Sequence, residues 1–153
     1  MSQIDTLIWV GSCSDASNTD FMYQRGIEHI ICCAEEYKYP PGFLILQQKS
    51  DQWYRVPIKD NMADKLTEGY FKDAAAKLNE WVSNEMEVLV HCREGKSRSV
   101  SVVMAYYMIY KGWTFDMAYW HLKTRRSVTN PWHQYIPILR AIGAKEPYVH
   151  LDR

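Results

Sequence analysis

A cysteine and an arginine, Cys92 and Arg98, stand at the two ends of a short loop with five residues between them. The apolar residues 88–90 precede the loop and an apolar run from Val100 follows it, which predicts a strand before the loop and a helix after it. Backbone N–H groups that turn into a helix N-terminus attract anions and favour the thiolate form of a cysteine. An arginine side chain holds two phosphate oxygens at once. The spacing therefore predicts a phosphate-binding loop with a nucleophile at its base.

Residues 91–99 read HCREGKSRS, and this sequence resembles the signature of the cysteine-dependent protein phosphatases, most of all their small dual-specificity group. Residues 7–12, 26–31 and 53–60 look like three strands of that family, so the resemblance extends over residues 6–140. The resemblance implies hydrolysis of phosphotyrosine, phosphoserine and phosphothreonine through a phosphocysteine intermediate, without a cofactor or a metal ion. A phosphorylated protein is the partner that it implies.

The resemblance also implies four catalytic residues. Cys92 is the expected nucleophile, Arg98 the phosphate-binding residue, and Asp60, at the end of a predicted strand, the general acid and then the general base. Protonation of the leaving oxygen as the P–O bond breaks is worth typically ~10²–10⁴ in rate. Ser99 is expected to hydrogen-bond the Cys92 sulfur. Asp64, on the same polar segment as Asp60, is the alternative acid.

The residues between the cysteine and the arginine are expected to bind substrate, chiefly through their backbone N–H groups. They are Arg93, Glu94, Gly95, Lys96 and Ser97. Gly95 suits a loop position that needs a positive φ or a close approach to the ligand. The side chains of Arg93, Glu94 and Lys96 are expected to point outward, and the Ser97 hydroxyl is expected to complete the loop at the first helical turn.

Residues outside the loop are expected to support it. His91 ends a predicted strand and is a better brace than a base. Asn130 and Trp132 flank a proline where the family has a proline followed by asparagine, so either Asn130 supports the site or Trp132 lines its rim. Arg125 and Arg126 match a basic pair at a predicted helix C-terminus, where positive charge is favourable. A second contact to the anion is the alternative for this pair.

Apolar periodicity predicts the elements that hold these residues. Strands are expected at residues 7–10, 27–32, 53–58 and 88–91, with a weaker candidate at 43–46, and helices at 67–84, 100–110, 114–126 and 132–142. Tyr106, Tyr107 and Tyr110 fall at helical spacing and predict core packing rather than a ligand site. Strands alternating with helices, then helices alone, predict an α/β fold with a mixed central sheet of about five strands flanked by helices.

The composition fits one catalytic domain over residues 1–153. The 18 Lys and Arg balance the 18 Asp and Glu, so no overall charge draws the chain to nucleic acid or to an anionic membrane, and neither is an expected partner. No apolar run reaches the length of a membrane span, and residues 1–5 are too polar to open a signal peptide. We expect a cytoplasmic monomer, and access to the nucleus is left open.

Three alternatives to a protein phosphatase remain open. Lys96 adds a cation beside the loop and favours a non-protein polyanion, such as a phosphoinositide, a phosphorylated sugar or the 5′-triphosphate end of an RNA. A binding module that keeps the pocket without turnover is the second alternative. Sulfur transfer or arsenate reduction uses a related loop, but leaves Asp60 and Ser99 without a role.

The other three cysteines are Cys13, Cys32 and Cys33. In a chain without a secretory segment, four cysteines favour reduced thiols over disulfides. These three are therefore expected to pack as small apolar residues. A backup thiol that traps oxidised Cys92 as a disulfide is the alternative.

Overall fold

Five short strands form one mixed sheet in the computed structural model, which describes residues 1–145. They are β1 (Ser2–Asp5), β2 (Ile8–Gly11), β3 (His29–Cys32), β4 (Trp53–Arg55) and β5 (Val88–His91). Their order across the sheet is β1-β2-β5-β3-β4, in which β1 runs antiparallel to β2 and the other neighbours are parallel. The predicted α/β fold with a mixed sheet is confirmed. The last eight residues of the expected domain, 146–153, lie outside the described residues.

Helices flank this sheet on both faces. Within residues 1–145 they are α1 (Cys13–Ala16), α2 (Thr19–Arg25), α3 (Gly42–Leu46), α4 (Thr67–Ser83), α5 (Arg98–Tyr110), α6 (Phe115–Arg125) and α7 (Tyr135–Lys145). The first three cover one face, where Ala16, Met22 and Leu44 pack against Trp9 and Leu89 of the sheet. The other four cover the opposite face, where α5 contacts α4, α6 and α7.

Helix α5 is buried along nearly its whole length, from Arg98 to Met108. The sheet lies beneath it and three helices surround it, so apolar residues are required on every side of the helix. Tyr106 and Tyr107 belong to this core, as predicted. The N-terminus of α5 consequently lies inside the molecule and faces the loop that follows the central strand β5.

The prediction of a strand at residues 43–46 is wrong, because this segment forms helix α3. An apolar run of this length fits a strand or one helical turn equally well, and its periodicity does not distinguish them. The fifth strand is instead β1. Only Ile4 of β1 is buried, while Gln3 and Asp5 are exposed at the sheet edge, so the sequence of β1 lacks the apolar run that marks the inner strands.

The remaining predicted strands and helices are present with shifted ends. Strand β4 ends at Arg55 rather than at Ile58, because Pro57 has no N–H to donate to a ladder. Helix α5 starts two residues before the predicted Val100, and α7 starts at Tyr135 rather than at Trp132. The start of α7 is later because residues 130–132 bind the loop after β5.

Candidate functional site

The loop at residues 92–97 lies where three parallel strands end. Strand β5 pairs His91 with Gly11 of β2 on one side and with Cys32 of β3 on the other. The loop after β5 is tied to the neighbouring strand ends, since the Cys13 N–H donates to the Arg93 carbonyl at 3.0 Å. Ligands in open α/β sheets bind at such carboxyl ends.

A pocket of about 190 Å³ opens at this loop. Its walls come from the loop after β5, from the segment after β4 and from the segment between α6 and α7. They are Asp60, Asn61, Cys92, Arg93, Glu94, Lys96, Ser97, Arg98, Asn130 and Trp132. The structure therefore brings most of the sequence-predicted site residues around one cavity, although they are spread over 73 positions of the chain.

Gly95 gives the loop its sharp curvature. Its φ is +71°, in the left-handed region that a side chain disfavours. A Cβ at this position would lie 2.6 Å from the Gly11 carbonyl oxygen and 2.6 Å from Nη2 of Arg126. Only glycine fits, so the shape of the loop depends on this residue as the sequence predicts.

Cys92 and Ser99 meet at the base of the pocket. The Cys92 Sγ lies 3.2 Å from the Ser99 Oγ, and both residues are buried. Ser99 is the second residue of α5, so its hydroxyl points back to the loop. A serine hydroxyl in this place donates a hydrogen bond to a sulfur that carries negative charge. The contact matches the predicted interaction.

Arg98 is the first residue of α5 and is only 1% exposed. Its Nη1 donates to the Glu36 Oε1 at 2.7 Å and to the Ile58 carbonyl at 2.9 Å, and its Nη2 donates to the Glu36 Oε2 at 2.8 Å. Its buried Nε has no hydrogen-bond acceptor among residues 1–145. The Nε lies 3.6 Å from the Asp60 Oδ1, at the pocket wall. The three hydrogen bonds use three of the five guanidinium N–H groups, so the Nε–H and one Nη2–H are left for an anion.

Glu36, which sequence reasoning missed, holds Arg98 in place. The hydrogen bond from Arg98 lowers the pKa of Glu36 to about 2 against the desolvation of its carboxylate. Burial lowers the pKa of Arg98, but the hydrogen bond and the charge of Glu36 outweigh burial and raise it above the usual value. Both groups stay charged at neutral pH. The only sequence signal for Glu36 is its place just after a buried strand, β3.

Asp60 follows the segment after β4 and lines the pocket with a half-exposed carboxylate. The hydroxyl of Tyr135 donates to the carbonyl of Lys59 at 3.0 Å, which fixes the backbone next to Asp60. Asp64 has another task. Its Oδ1 accepts from the Leu66 N–H at 2.8 Å, just before α4, and it lines a separate cavity. The geometry therefore favours Asp60 over Asp64 as the acid.

His91 lies buried directly before the nucleophile. Its Nδ1 is 3.2 Å from the carbonyl oxygen of Cys92, which suits an Nδ1–H donor. Burial lowers the pKa of His91 to about 4, so the ring is neutral in the neutral range. A neutral ring that bonds the loop backbone agrees with the predicted brace rather than with a base.

The segment between α6 and α7 is attached to the loop by two hydrogen bonds. The Asn130 N–H donates to the Lys96 carbonyl at 2.8 Å, and the Trp132 N–H donates to the Ser97 Oγ at 2.9 Å. Both Asn130 and Trp132 line the pocket. Asn130 thus contacts the loop through its backbone N–H, and Trp132 stands at the pocket wall, whereas a supporting role of the Asn130 side chain stays a prediction.

Arg126 braces the outer side of the loop. Its Nε donates to the Gly95 carbonyl at 2.7 Å and its Nη2 to the Glu94 carbonyl at 3.3 Å. Arg125 instead donates to the His121 carbonyl at 3.0 Å, at the C-terminal end of α6. Only Arg125 therefore fits the expected helix-end cation, whereas Arg126 positions the loop through its carbonyl groups.

The rim of the pocket carries balanced charge. Arg93, Glu94 and Lys96 are exposed, as predicted. The Arg93 Nε lies 3.3 Å from Glu36 and the Lys96 Nζ lies 3.5 Å from Glu94. Glu36 is shared with Arg98, so the balance includes Asp60: the three cations Arg93, Lys96 and Arg98 lie beside the three carboxylates Glu36, Glu94 and Asp60.

Two further properties concern residues 1–145. Among them, no group of three or more His, Cys, Asp or Glu side chains is placed to hold a metal ion. None of their helices combines the length and the apolar character that crossing a membrane requires.

The comparisons with known proteins point to one family. The family model described as "Dual specificity phosphatase, catalytic domain" matches residues 8–145. The chain is 32% identical over 131 residues to human "Protein phosphatase Slingshot homolog 2", covering 85% of this chain and 9% of that protein. It is 32% identical over 132 residues to "Dual specificity protein phosphatase 1" of Arabidopsis thaliana, covering 85% of this chain and 62% of that protein. The chain thus spans less than two thirds of the length of these relatives.

Solved structures agree in fold. Human DUSP28 superposes with a TM-score of 0.81 at 21% identity, covering 94% of this chain and 93% of that one. The human tyrosine phosphatase-like serine/threonine/tyrosine-interacting protein superposes with a TM-score of 0.80 at 24% identity, covering 95% of this chain and 96% of that one.

Proposed function

This chain belongs to the dual specificity phosphatase family, whose catalytic domain it carries, and we propose that it hydrolyses phosphotyrosine, phosphoserine and phosphothreonine in proteins through a phosphocysteine intermediate. One observation carries the proposal: the Cys92 thiol lies at the base of a pocket that also holds a buried arginine N–H without an acceptor. Nucleophile and phosphate-binding group thus share one cavity.

In the first step, the Cys92 thiolate attacks the phosphorus atom, and the bond from phosphorus to the ester oxygen breaks. The free Nε–H of Arg98 and the loop N–H groups hold the other phosphate oxygens, where negative charge is concentrated. Asp60, in its acid form, gives its proton to the leaving oxygen. The products are the dephosphorylated side chain and a phosphocysteine.

In the second step, water attacks the phosphocysteine and the S–P bond breaks. The Asp60 carboxylate takes a proton from this water, so the acid of the first step is regenerated. The electron pair of the broken bond returns to sulfur, where the Ser99 hydroxyl, 3.2 Å away, donates to the thiolate. Two easier displacements replace one difficult hydrolysis.

The rim charges support a phosphate monoester over a polyanion. Lys96 favours a polyanion from sequence, but its ammonium pairs with Glu94, and Arg93 pairs with Glu36. A second or third phosphate group would compete with these carboxylates. Phosphotyrosine is the expected fastest substrate, because a phenoxide leaves more easily than an alkoxide.

The test is release of phosphate from a chromogenic aryl phosphate and from phosphotyrosine and phosphoserine peptides. Cys92→Ser should lower kcat by at least about 10³-fold, as loss of a covalent nucleophile does. Cys13→Ser is the matched control, because Cys13 lies beside the loop but outside the pocket walls. Turnover that survives Cys92→Ser would overturn the mechanism. Faster turnover of a phosphoinositide or a 5′-triphosphate RNA than of every phosphopeptide would overturn the substrate class.

A further inference from the structure

An open cavity of about 330 Å³ adjoins the pocket on the side of α6 and α7. Its walls include Phe115, Tyr119 and Trp120 of α6, Ile136 of α7 and Pro131 between them. We call this cavity the α6–α7 groove. Five of its seven lining residues are aromatic or aliphatic, and Asp116 and Asn130 are the other two, so the groove offers an apolar wall next to polar groups.

Three aromatic rings of α6 contact one another along the groove. Phe115 and Tyr119 lie parallel, with an angle of 3° between their planes and 6.3 Å between their centroids. Tyr119 meets Trp120 edge to face at 5.0 Å. Trp120 nevertheless keeps 58% of its surface exposed. Phe115 is buried and Tyr119 is partly buried, so Trp120 is the apolar side chain that the groove presents to a ligand.

The groove and the catalytic pocket share a wall. Asn130 lines both cavities, Pro131 lines the groove, and Trp132 lines the pocket. The hydrogen bonds from the N–H groups of Asn130 and Trp132 to the loop fix this wall. The position of the groove relative to Cys92 is therefore set by the same contacts that hold the phosphate loop.

We propose that the α6–α7 groove binds a large apolar side chain of the phosphorylated protein, two to four residues from the phosphorylated one. The proposal rests on the proposed function, since it needs a peptide whose phosphate occupies the pocket. Asn130 lines both cavities, and an extended peptide advances ~3.3 Å per residue, so a few residues suffice to pass from the pocket to the groove. The groove thus selects among protein substrates, whereas a small aryl phosphate ends before it.

The test uses peptides with one phosphotyrosine in a polar background. A single tryptophan replaces serine at each position from four residues before to four residues after the phosphotyrosine. For the wild type, we expect one position to raise kcat/KM by about tenfold, mainly through a lower KM, which corresponds to about 1.4 kcal/mol.

Trp120→Ala should abolish this preference and leave kcat/KM for the aryl phosphate within about twofold of wild type. Tyr23→Ala is the matched control, because Tyr23 is an aromatic residue of α2 that is 78% exposed on the other side of the sheet. It should keep the full preference. Trp120→Glu provides a second variant, and the Tm of each variant checks its fold.

The outcomes separate the two proposals. A wild-type enzyme that turns over the aryl phosphate but shows no preference for tryptophan at any position overturns the groove proposal and leaves the proposed function standing. A preference that survives in both Trp120 variants also overturns the groove proposal. A concentration-dependent dimer that Trp120→Glu dissociates, without a peptide preference, assigns the groove to a second copy and overturns it too. Failure to release phosphate from any substrate counts against the proposed function itself.

Discussion

The guanidinium of Arg98 donates two hydrogen bonds, of 2.7 and 2.8 Å, to the carboxylate of Glu36, which lies in the segment after β3. This contact uses one N–H of Nη1 and one of Nη2, and it leaves the Nε–H and the second Nη2–H for the substrate. A long side chain that is held before the phosphate arrives loses little further freedom on binding. Glu36 thus positions Arg98 without touching the substrate.

Glu36→Gln should therefore raise KM and lower kcat/KM by about 10- to 100-fold, because Arg98 loses a charged partner and turns away from its binding orientation. Phosphate release from the aryl phosphate measures both constants. Glu35→Gln is the control, since Glu35 is adjacent and pairs with the exposed Lys38 at 3.8 Å. A Glu36→Gln enzyme with an unchanged KM would contradict the positioning role.

Substitution of Asp60 should lower activity, whereas substitution of Asp64 should lower stability. Asp60→Asn should lower kcat for a phosphoserine peptide by about 10²–10⁴-fold, because an alkoxide needs a proton to leave. The loss should be smaller for an aryl phosphate with an electron-poor leaving group. Asp64→Asn should keep kcat and cost about 1 kcal/mol or less of stability, because Asp64 accepts a backbone N–H at the start of α4. Equal losses in kcat for the two variants would contradict the assignment of Asp60 as the general acid.

Residue spacing predicts the local part of the site and the family resemblance adds the distant residues Asp60 and Asn130, but neither predicts the contacts that Glu36 and Arg126 make. Cys92, Arg98 and Ser99 belong to one strand, loop and helix, so their spacing alone brings them together. Glu36 reaches Arg98 from 62 positions away, and Arg126 reaches Gly95 from 31 positions away. No periodicity or spacing encodes such contacts, because they depend on the order of the strands in the sheet.

The fold shows the same division. The inner strands β2, β3 and β5 are short runs of buried apolar residues and are found from sequence. The edge strand β1 has a single buried residue, Ile4, between exposed neighbours. The apolar run at residues 43–46 forms a helix instead of a strand. Tertiary contacts decide both segments, since β1 has too few apolar residues to indicate a strand and the four apolar residues at 43–46 fit a strand or a helical turn equally well.

His91 should make the stability of the domain depend on pH. Burial lowers its pKa from 6.5 to about 4. Between these two pH values the histidine is therefore protonated in the unfolded chain and neutral in the folded one. The contribution of His91 to the free energy of unfolding is fully present above about pH 6.5 and is lost as the pH drops towards 4. Between about pH 7 and pH 5 the loss from this group is on the order of 2 kcal/mol.

Thermal unfolding at these two pH values measures the effect of His91. His91→Asn keeps a side-chain N–H donor and removes the titration, so the variant should lose less Tm between pH 7 and pH 5 than the wild type. His133→Asn is the control, because His133 is exposed and should leave the wild-type dependence intact. If His91→Asn and the wild type lose the same Tm, the buried neutral histidine is not the cause.

Arg126 should control the anion affinity of the loop, because it holds the carbonyl groups of Gly95 and Glu94 and thereby fixes the loop whose N–H groups are proposed to bind phosphate. Arg126→Met keeps the length of the side chain and removes the donors, so the loop should lose its fixed shape. We expect inhibition by inorganic phosphate to weaken by about tenfold, as the loss of one or two charged hydrogen bonds implies. Arg125→Met is the matched control, since within residues 1–145 the hydrogen bonds of the Arg125 side chain go to His121 and Thr124 of its own helix. Arg126 is not among the pocket walls, so its effect must act through the loop. If Arg126→Met and Arg125→Met show equal inhibition by phosphate, Arg126 does not position the loop.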